Sequence, residues 1–495
     1  MSSNGATREI AMPEDCDVCI VGAGLCGMNA LFVAGSYLRP DQKIILIDRR
    51  ARVGGMWVDT YPYVRLHQPH PMFTAGNIKW TLGREPSYLA TKREVLDHFS
   101  YCLQQIKQRV RVEERYGWDF QSADAIDGAV QVTCRDGKGQ LHTVRAGRLI
   151  KAYGVRVTPN EALELSSERV QSVSPDSCDV RSGEIRDSNA PVWVIGSGKT
   201  AMDTAHALIT SSPGREVNLV AGSGTFFASR DQFFPAGARR WAGGTSLTKM
   251  SIDMTRLFDG TNEDEVAQWF RSAYGTCPTQ QADHYVAGVL SEAENTAIVA
   301  GLNDVVMDHL VDVVDNNGSA ELVLRSGARK AVTPGSWIVN CTGYLTKGEY
   351  PYEPYVSGDG SILSVQMRSA VLHLTSFAAY FATHLMFSGK LNTVPLYELD
   401  LQDLAQKSKK ALVYAMFTLA QYNLSLISDA MPAKVFRDCG LDFNRWYPMP
   451  RQLVGTARFM ATRHRDRDHL RRTLDTVAER FDVRCGTLNS TSLSG

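Results

Sequence analysis

The chain has 495 residues and carries 53 basic and 53 acidic side chains, so its formal net charge is zero. This length predicts several domains, and a hydrophobic fraction of 44% excludes a wholly disordered or fibrous protein. Because a neutral chain has no overall attraction for polyanions, we expect no nucleic-acid partner. The basic run at residues 463–472 alternates with aspartates, which indicates a solvated helix face.

The sequence shows no targeting signal and no clear membrane span. Residues 1–13 lack the apolar core of a signal peptide. Residues 411–431 come nearest to a membrane span, but they contain Gln421, Asn423 and Ser425 and predict a core helix. The cysteines are sparse and irregularly spaced, which does not indicate a disulfide scaffold. We therefore expect a cytoplasmic protein without a membrane partner, and a homodimer is compatible with the sequence.

The first ordered element along the chain is a predicted βαβ unit. Residues 17–21 form a short apolar run that ends at a glycine, residues 26–36 have a helical pattern, and residues 43–47 form a second apolar run closed by Asp48. Two strands joined in this way predict a parallel sheet. Residues 110–152 then alternate between apolar and polar residues with turn signals, which predicts a β-meander rather than another crossover.

A glycine loop, Gly22-Ala-Gly24-Leu-Cys-Gly27, joins the first strand to the first helix. In such a loop Gly22 permits the tight turn, Gly24 lets a pyrophosphate approach the backbone, and Gly27 lets the helix pack closely on the strand. The diphosphate then lies at the positive end of the helix dipole. Asp48, at the end of the next strand, is placed to accept a hydrogen bond from a ribose hydroxyl.

A second loop of the same kind lies at residues 196–201, with the sequence Gly-Ser-Gly-Lys-Thr-Ala and alanine in the third glycine position. One dinucleotide site alone would indicate a dehydrogenase, whereas two indicate FAD and NAD(P)H in one polypeptide. The alternative is that the second unit keeps the Rossmann-like fold but no longer binds a nucleotide.

The strand that follows the second loop favours NADPH over NADH. Residues 217–220 end in the sequence Ala-Gly-Ser without an acid, and an acid there would bind the NAD ribose and repel a 2′-phosphate. Lys199, Arg215 and Arg230 are the candidate phosphate partners.

Further motifs follow the first loop and resemble those of the flavin-containing (class B) monooxygenases, including their plant auxin-forming branch. They are Arg52-Val-Gly54-Gly55-Met56-Trp57, Tyr61-Pro62, Val64-Arg65-Leu66-His67-Gln68-Pro69, the run from Tyr88 to Leu96, the second loop extended to Met202-Asp203, and Cys341-Thr342-Gly343-Tyr344. The chain departs from the family pattern at Tyr153, where threonine is expected, and at Gly222, where arginine is usual. The resemblance therefore implies a divergent member with an α/β fold, in which an FAD domain carries an inserted NADPH domain.

The resemblance and the two loops together define the candidate site residues. Those expected to hold the cofactors are Gly22, Gly24, Gly27, Asp48, Arg49, Gly55, Met56, Trp57, His67, Gly196, Ser197, Gly198, Lys199, Thr200, Thr342 and Gly343. His67 and Arg65 are the candidate catalytic residues. The alternatives are that Trp57 is a core residue, Arg65 a surface charge and His67 an ordinary loop histidine.

The residues also favour one kind of chemistry. Cys16 and Cys19 have CxxC spacing, but they lie at the first strand and are predicted to be buried fillers, which disfavours a disulfide reductase. No cluster has metal-ligand spacing, so no metal is expected. The hypothesis is that NADPH reduces FAD, O₂ forms a flavin C4a-hydroperoxide, and one oxygen atom passes to a small organic substrate by N-, S- or C-oxygenation or a Baeyer–Villiger reaction.

Two alternatives to this activity remain open at the sequence level. One is an FAD-dependent oxidase, dehydrogenase or NAD(P)H:flavin oxidoreductase without oxygenation. The other is a non-catalytic, NADPH-binding redox sensor.

The same signals divide the chain into domains. Helical patterns occupy residues 246–300 and most of the chain after residue 394, and aromatic side chains in these segments are expected to be mostly core. The predicted divisions are an FAD domain (1–155), a linker (156–190), an NAD(P)H domain with a helical insert (191–334), a return to the FAD domain with a helical C-terminal region (335–485) and a disordered tail (486–495).

Overall fold

The computed structural model describes residues 13–282, 284–343 and 348–488. The strands are β1 (Glu14–Val21), β2 (Lys43–Asp48), β3 (Arg111–Tyr116), β4 (Asp119–Ile126), β5 (Ala129–Arg135), β6 (Leu141–Ala152), β7 (Gln171–Val173), β8 (Val192–Ile195), β9 (Val217–Val220), β10 (Thr225–Ser229), β11 (Gly275–Thr276), β12 (His284–Leu290), β13 (Asp304–Val306), β14 (Leu310–Asn316), β15 (Ser319–Leu324), β16 (Arg329–Val332), β17 (Trp337–Asn340), β18 (Ile362–Val365), β19 (Ser369–Ala370), β20 (Tyr397–Asp400) and β21 (Cys485–Thr487).

The helices pack against these strands and form the C-terminal part of the chain. They are α1 (Leu25–Tyr37), α2 (Met56–Asp59), α3 (Lys92–Lys107), α4 (Gly183–Asp187), α5 (Lys199–Ser211), α6 (Arg230–Phe233), α7 (Arg239–Ala242), α8 (Leu247–Leu257), α9 (Glu263–Tyr274), α10 (Glu292–Gly301), α11 (Thr375–Phe387), α12 (Leu401–Lys407), α13 (Lys409–Ala430), α14 (Ala433–Arg437) and α15 (Met449–Phe481). Two short 3₁₀ helices lie at His70–Met72 and Phe443–Trp446.

The first sheet contains the predicted βαβ unit at its centre. Its strand order is β3-β2-β1-β6-β5-β4, and β1, β2 and β3 run parallel. The predicted meander is therefore wrong at its start, because β3 returns through the crossover helix α3, which begins with a capping box of Thr91 and Glu94. The long strand β6 pairs with antiparallel β5 along its first half and with parallel β18 along its second half.

The second sheet is wholly parallel, with the order β13-β9-β8-β17-β7. The predicted linker is wrong in part, because residues 171–173 form β7, which pairs with β17 at the edge of this sheet. Strand β17 pairs with β8 and therefore belongs to the second sheet. The return to the FAD domain, predicted at residue 335, thus begins only with β18, which pairs with β6 of the first sheet. A hairpin joins β14 to β15 through Asn317 and Gly318, both with positive φ.

The segment at residues 246–300 is less helical than predicted. Strand β12 lies between α9 and α10 and extends a small sheet with β10 and β11. The aromatic side chains of this segment and of the C-terminal helices form a second core, as expected; Phe258, Phe270 and Tyr414 are almost completely buried within it.

Helix α13 is the segment that came nearest to a membrane span. By length and composition it could cross a membrane, yet 61% of its apolar window is buried inside the protein. It packs against α8, α12 and α15, as expected for a core helix. The predicted disordered tail begins too early, because Gly486 and Thr487 belong to β21, which pairs with β20. Residues 489–495 lie outside the described residues.

Candidate active site

Both glycine loops open into one cavity of about 2430 Å³ between the first and second sheets and the C-terminal helices. The sequence-predicted residues that line it are Gly22, Gly24, Asp48, Arg49, Gly55, Met56, Trp57, Arg65, His67, Gly196, Ser197, Gly198, Lys199, Thr200, Thr342 and Gly343. Gly27 is the exception, because it lies beneath the first loop. Tyr344 lies outside the described residues.

The first loop is packed so tightly that side chains are excluded from it. Gly22 has φ of +107°, and a Cβ atom there would lie 2.4 Å from the carbonyl oxygen of Ala152. A Cβ atom on Gly27 would lie 1.7 Å from the oxygen of Gly22. Gly24 meets Gly55, whose own Cβ atom would lie 2.6 Å from the Gly24 Cα. The glycines therefore let two backbone segments and the start of α1 meet at the cavity wall.

Asp48 ends β2, as expected, and its buried carboxylate holds the first loop. Oδ2 accepts a hydrogen bond from the Ala23 amide at 2.6 Å, and Oδ1 accepts one from the Arg50 amide at 2.8 Å. A carboxylate offers about four acceptor positions, so these two bonds leave acceptor capacity on the side that faces the cavity.

The second loop is tight at its first glycine and open at its second. Gly196 has φ of +118°, and its Cβ atom would lie 2.9 Å from the Cys341 oxygen. Among the described residues, no atom lies within 4 Å of a Cβ atom built on Gly198. Ala201, in the third position, is fully buried against the sheet. The loop therefore leaves a space at the N-terminus of α5 of the kind that a diphosphate fills.

The predicted phosphate partners make other contacts in this structure, and their binding of a phosphate stays a prediction. Lys199 pairs with Asp203, one turn further along α5. Arg230 pairs with Glu294 at 2.8 Å. Arg215 does not line the cavity, and it donates to the carbonyl oxygen of Arg186.

Two other basic side chains, His309 and Arg325, line the cavity at the end of β9, where the second ribose is expected. A Cβ atom on Gly222 would lie 2.9 Å from the ring of His309, and the amide of Arg325 donates to the His309 oxygen at 2.9 Å. Both residues flank the β14–β15 hairpin, far from the loop in sequence. The absence of an acid at the end of β9 was a signal for phosphate binding, but spacing alone could not locate its partners.

His67 lies in the cavity wall between two ion pairs. Burial lowers its pKa to about 3, and the charges of Lys199 and Arg230 act in the same direction against Asp203 and Glu294. The imidazole is therefore neutral at physiological pH. Its main-chain oxygen accepts a hydrogen bond from Arg230 at 2.7 Å.

Arg65 also lines the cavity, but its guanidinium is partly engaged. Nη1 donates to the Leu89 oxygen at 3.0 Å, and the group lies over the ring of Tyr88. A catalytic role for Arg65 stays a prediction. Trp57 is buried and makes an edge contact with Phe73, so it serves the core as well as the cavity wall.

The cysteines have no redox partners near the loops. Cys19 is buried within the first sheet, and burial raises the pKa of the Cys16 thiol to about 12. In the described ranges all ten cysteines are free, and no group of three metal-ligating side chains is found. The prediction that Cys19 is a buried filler is confirmed.

The comparisons with known proteins agree with this geometry. A family model described as pyridine nucleotide-disulphide oxidoreductase matches residues 16–242, which include both loops. An uncharacterized protein of Mycobacterium tuberculosis is 32% identical over 109 residues, which is 20% of each chain. The putative FAD-containing monooxygenase MymA of the same species is 26% identical over 215 residues, or 41% of each chain. The chain thus spans less than half the length of these relatives.

Solved structures extend the likeness of the fold to most of the chain. An open crystal structure of cyclohexanone monooxygenase covers 86% of this chain and 99% of its own, with a TM-score of 0.51 at 12% identity. A flavin-containing monooxygenase from Stenotrophomonas maltophilia covers 76% of this chain and 99% of its own, with a TM-score of 0.47 at 13% identity.

Two Rossmann-like units that share one cavity define the class of two-dinucleotide flavoprotein oxidoreductases. Within that class, the fold of the chain is similar to that of cyclohexanone monooxygenase. The α/β fold predicted from the two loops, with its helical C-terminal segment, is confirmed.

Proposed function

We propose that this chain is an FAD-dependent, NADPH-reduced monooxygenase that transfers one oxygen atom of O₂ to a small organic substrate. The observation that carries the proposal is the single cavity shared by both glycine loops. A hydride donor in the second loop and a flavin in the first would then face the same enclosed space.

The residues of the first loop fit FAD. The N-terminus of α1 would hold the diphosphate, and Asp48 would accept from the adenosine ribose. Met56 and Trp57 line the wall beyond Gly55. When bound, FAD supplies the chemistry of hydride acceptance and O₂ activation.

The residues of the second loop fit NADPH. The space at Gly198 would take the diphosphate, and the Arg325 guanidinium and the His309 imidazole line the cavity where a 2′-phosphate would extend beyond Gly222. No carboxylate ends β9 to repel that phosphate. These features favour NADPH over NADH.

The remaining wall of the cavity is largely apolar and would help to keep water away from the reaction. Apolar side chains of several helices line it, among them Phe233, Phe234, Met250, Leu412 and Phe417. His67 would offer a neutral hydrogen-bonding group within this dry wall, where such a group acts strongly on developing charge. This wall suits an apolar or aromatic substrate.

Rapid mixing tests the proposal. NADPH should bleach the oxidised flavin, and O₂ should then produce a transient flavin absorbance and an oxygenated product whose mass shows one added oxygen atom. Amines, sulfides and ketones serve as the first substrates. Direct reoxidation with stoichiometric hydrogen peroxide and no product would instead indicate an oxidase, and the absence of reduction by either nicotinamide would indicate a dehydrogenase.

A further inference from the structure

An exposed apolar patch lies on the first half of α15 and on the short helix α7. Its members are Trp241 (64% exposed), Met449 (64%), Leu453 (62%), Val454 (60%) and Met460 (47%). We call these five residues the rim patch. Large apolar side chains concentrated at one place on a surface indicate a binding partner rather than chance exposure.

Arg451 fixes the two helices of the rim patch to each other. Its side chain donates to the carbonyl oxygens of Arg240 and Gly243 at 2.9 and 2.6 Å, and it lies over the ring of Tyr447. Trp241 therefore lies beside the first turns of α15 on a rigid support.

The rim patch borders the cavity of the proposed active site. Met449, Leu453 and Met460 line that cavity although about half or more of each side chain is exposed. Side chains with both properties lie at an opening. The patch therefore surrounds a mouth of the cavity, whose inner wall is apolar.

The helix has the pattern of a segment that lies on an interface. At about 100° per residue, Met449, Leu453 and Met460 project within about 40° of one another. Arg451 and Arg458, seven residues apart, project about 160–180° away from the centre of this face. A helix with an apolar face, arginines on the opposite face and a tryptophan beside it is typical of helices that lie in the headgroup region of a bilayer.

The two chain segments that carry the rim patch are basic. Residues 235–252 and 445–465 contain arginines and lysines but neither aspartate nor glutamate. Lys249, Arg463 and Arg465 pair with aspartates outside these segments. Within these two segments, which the structure describes in full, five arginines have no carboxylate at ion-pair distance: Arg239, Arg240, Arg445, Arg451 and Arg458.

We propose that the rim patch docks onto the surface of an anionic lipid bilayer. The uncompensated arginines match the negative headgroups, and the apolar side chains with Trp241 match the acyl boundary. This replaces the expectation of no membrane partner, because a net charge of zero averages over the chain and hides a local excess. Docking would give a substrate dissolved in the bilayer a path into the cavity without passage through water. This path for substrate rests on the proposed function, whereas the docking itself does not.

Cosedimentation of the purified full chain with vesicles tests the docking without any activity measurement. We expect binding to vesicles of phosphatidylglycerol and phosphatidylcholine, little binding to phosphatidylcholine alone, and weaker binding as salt rises. Trp241→Glu and Val454→Glu should each weaken binding at least tenfold. Neither residue lines the cavity, so nucleotide binding should stay as in the unmodified protein. Arg239→Glu should weaken binding at least five-fold.

Matched controls separate docking from general effects of charge. Val299→Glu alters a valine that is 52% exposed on α10, and Arg93→Glu alters a highly exposed arginine of α3; both should bind vesicles like the unmodified protein. Equal loss in the controls, or no sedimentation with anionic vesicles, would overturn the proposal. So would a homodimer that Val454→Glu converts to a monomer while vesicle binding is unchanged, because the patch would then be an interface between two copies.

Discussion

Arg230 donates a hydrogen bond from Nε to the main-chain oxygen of His67 at 2.7 Å, and its Nη1 pairs with Glu294 at 2.8 Å. One arginine of α6 therefore joins the loop that carries the predicted catalytic histidine to the start of α10. Glu294 also forms a capping box with Ser291 at the start of α10. The Arg230–Glu294 pair is therefore anchored by His67 on one side and by Ser291 on the other. These contacts would let Arg230 position the loop that carries His67.

The Arg230–Glu294 pair predicts an acid-sensitive contribution to stability. The charges of Arg230 and Lys199 lower the pKa of Glu294 to about 2 against burial, which raises it. The stabilisation is therefore complete above the ordinary value near 4.5 and is lost as pH falls toward 2. Glu294→Gln should lower the free energy of unfolding by about 2–3 kcal/mol at pH 7 and by progressively less in acid. Denaturant titration measures both.

A matched glutamate on the surface provides the control. Glu321 pairs with Arg329, which is 57% exposed, so Glu321→Gln should lower the free energy of unfolding much less than Glu294→Gln does. Equal losses for the two variants at pH 7 would contradict the role given to Arg230.

His67 should act as a neutral group. Because the pKa of His67 is lowered to about 3, the imidazole does not titrate between pH 5 and 8. The unfolded chain takes up a proton near pH 6.5, so this histidine lowers stability as pH falls from 6.5 toward 3. His67→Gln, which keeps a neutral hydrogen-bonding group, should leave the pH profile of NADPH oxidation unchanged, whereas His67→Phe should lower the coupling of NADPH use to product at least tenfold. If the pH profile of NADPH oxidation showed an ionisation near pH 6–7 that disappeared in His67→Gln, then His67 would titrate in the active range and this prediction would be wrong.

The second loop can be blocked without disturbing the fold. Gly198 has φ of −74°, and among the described residues nothing lies within 4 Å of a built Cβ atom, so Gly198→Asp should fold normally. Its carboxylate would occupy the diphosphate space, and NADPH affinity should fall at least a hundredfold while FAD stays bound. Flavin absorbance and nucleotide titration measure the two effects. Loss of FAD with retained NADPH reduction would mean that the two sites are exchanged.

Gly22→Ala is the contrasting variant at the first loop. Its Cβ atom would lie 2.4 Å from the Ala152 oxygen at a positive φ, so the loop itself should be disrupted and FAD lost.

Arg325 should determine the preference for NADPH. Arg325→Ala should weaken NADPH binding about tenfold or more, the value of a charged hydrogen bond, and leave NADH binding unchanged. Calorimetric titration with both nucleotides measures the difference. Arg329→Ala, which removes an arginine of the adjacent strand that does not line the cavity, is the control and should alter neither affinity. If Arg325→Ala lowered the affinities for NADPH and NADH equally, Arg325 would not be the residue that binds the 2′-phosphate.

The sequence by itself determined the two βαβ units, because the glycine spacing, the flanking apolar runs and the terminal Asp48 are local features. Strand β9 was predicted with its observed bounds, and both loops start at the predicted residues. The flavin C4a-hydroperoxide and the identity of the substrate stay predictions.

Contacts between distant segments could be decided only by the tertiary structure. β7 lies within a polar segment and becomes a strand because β17 offers a free edge, and β3 joins the first sheet through a crossover that local alternation concealed. The pairing of Lys199 and Arg230 with carboxylates, and the approach of Arg325 and His309 to Gly222, likewise depend on chain closure. Local spacing fixes backbone conformation, whereas the partner of a charged side chain depends on which segments the fold brings together.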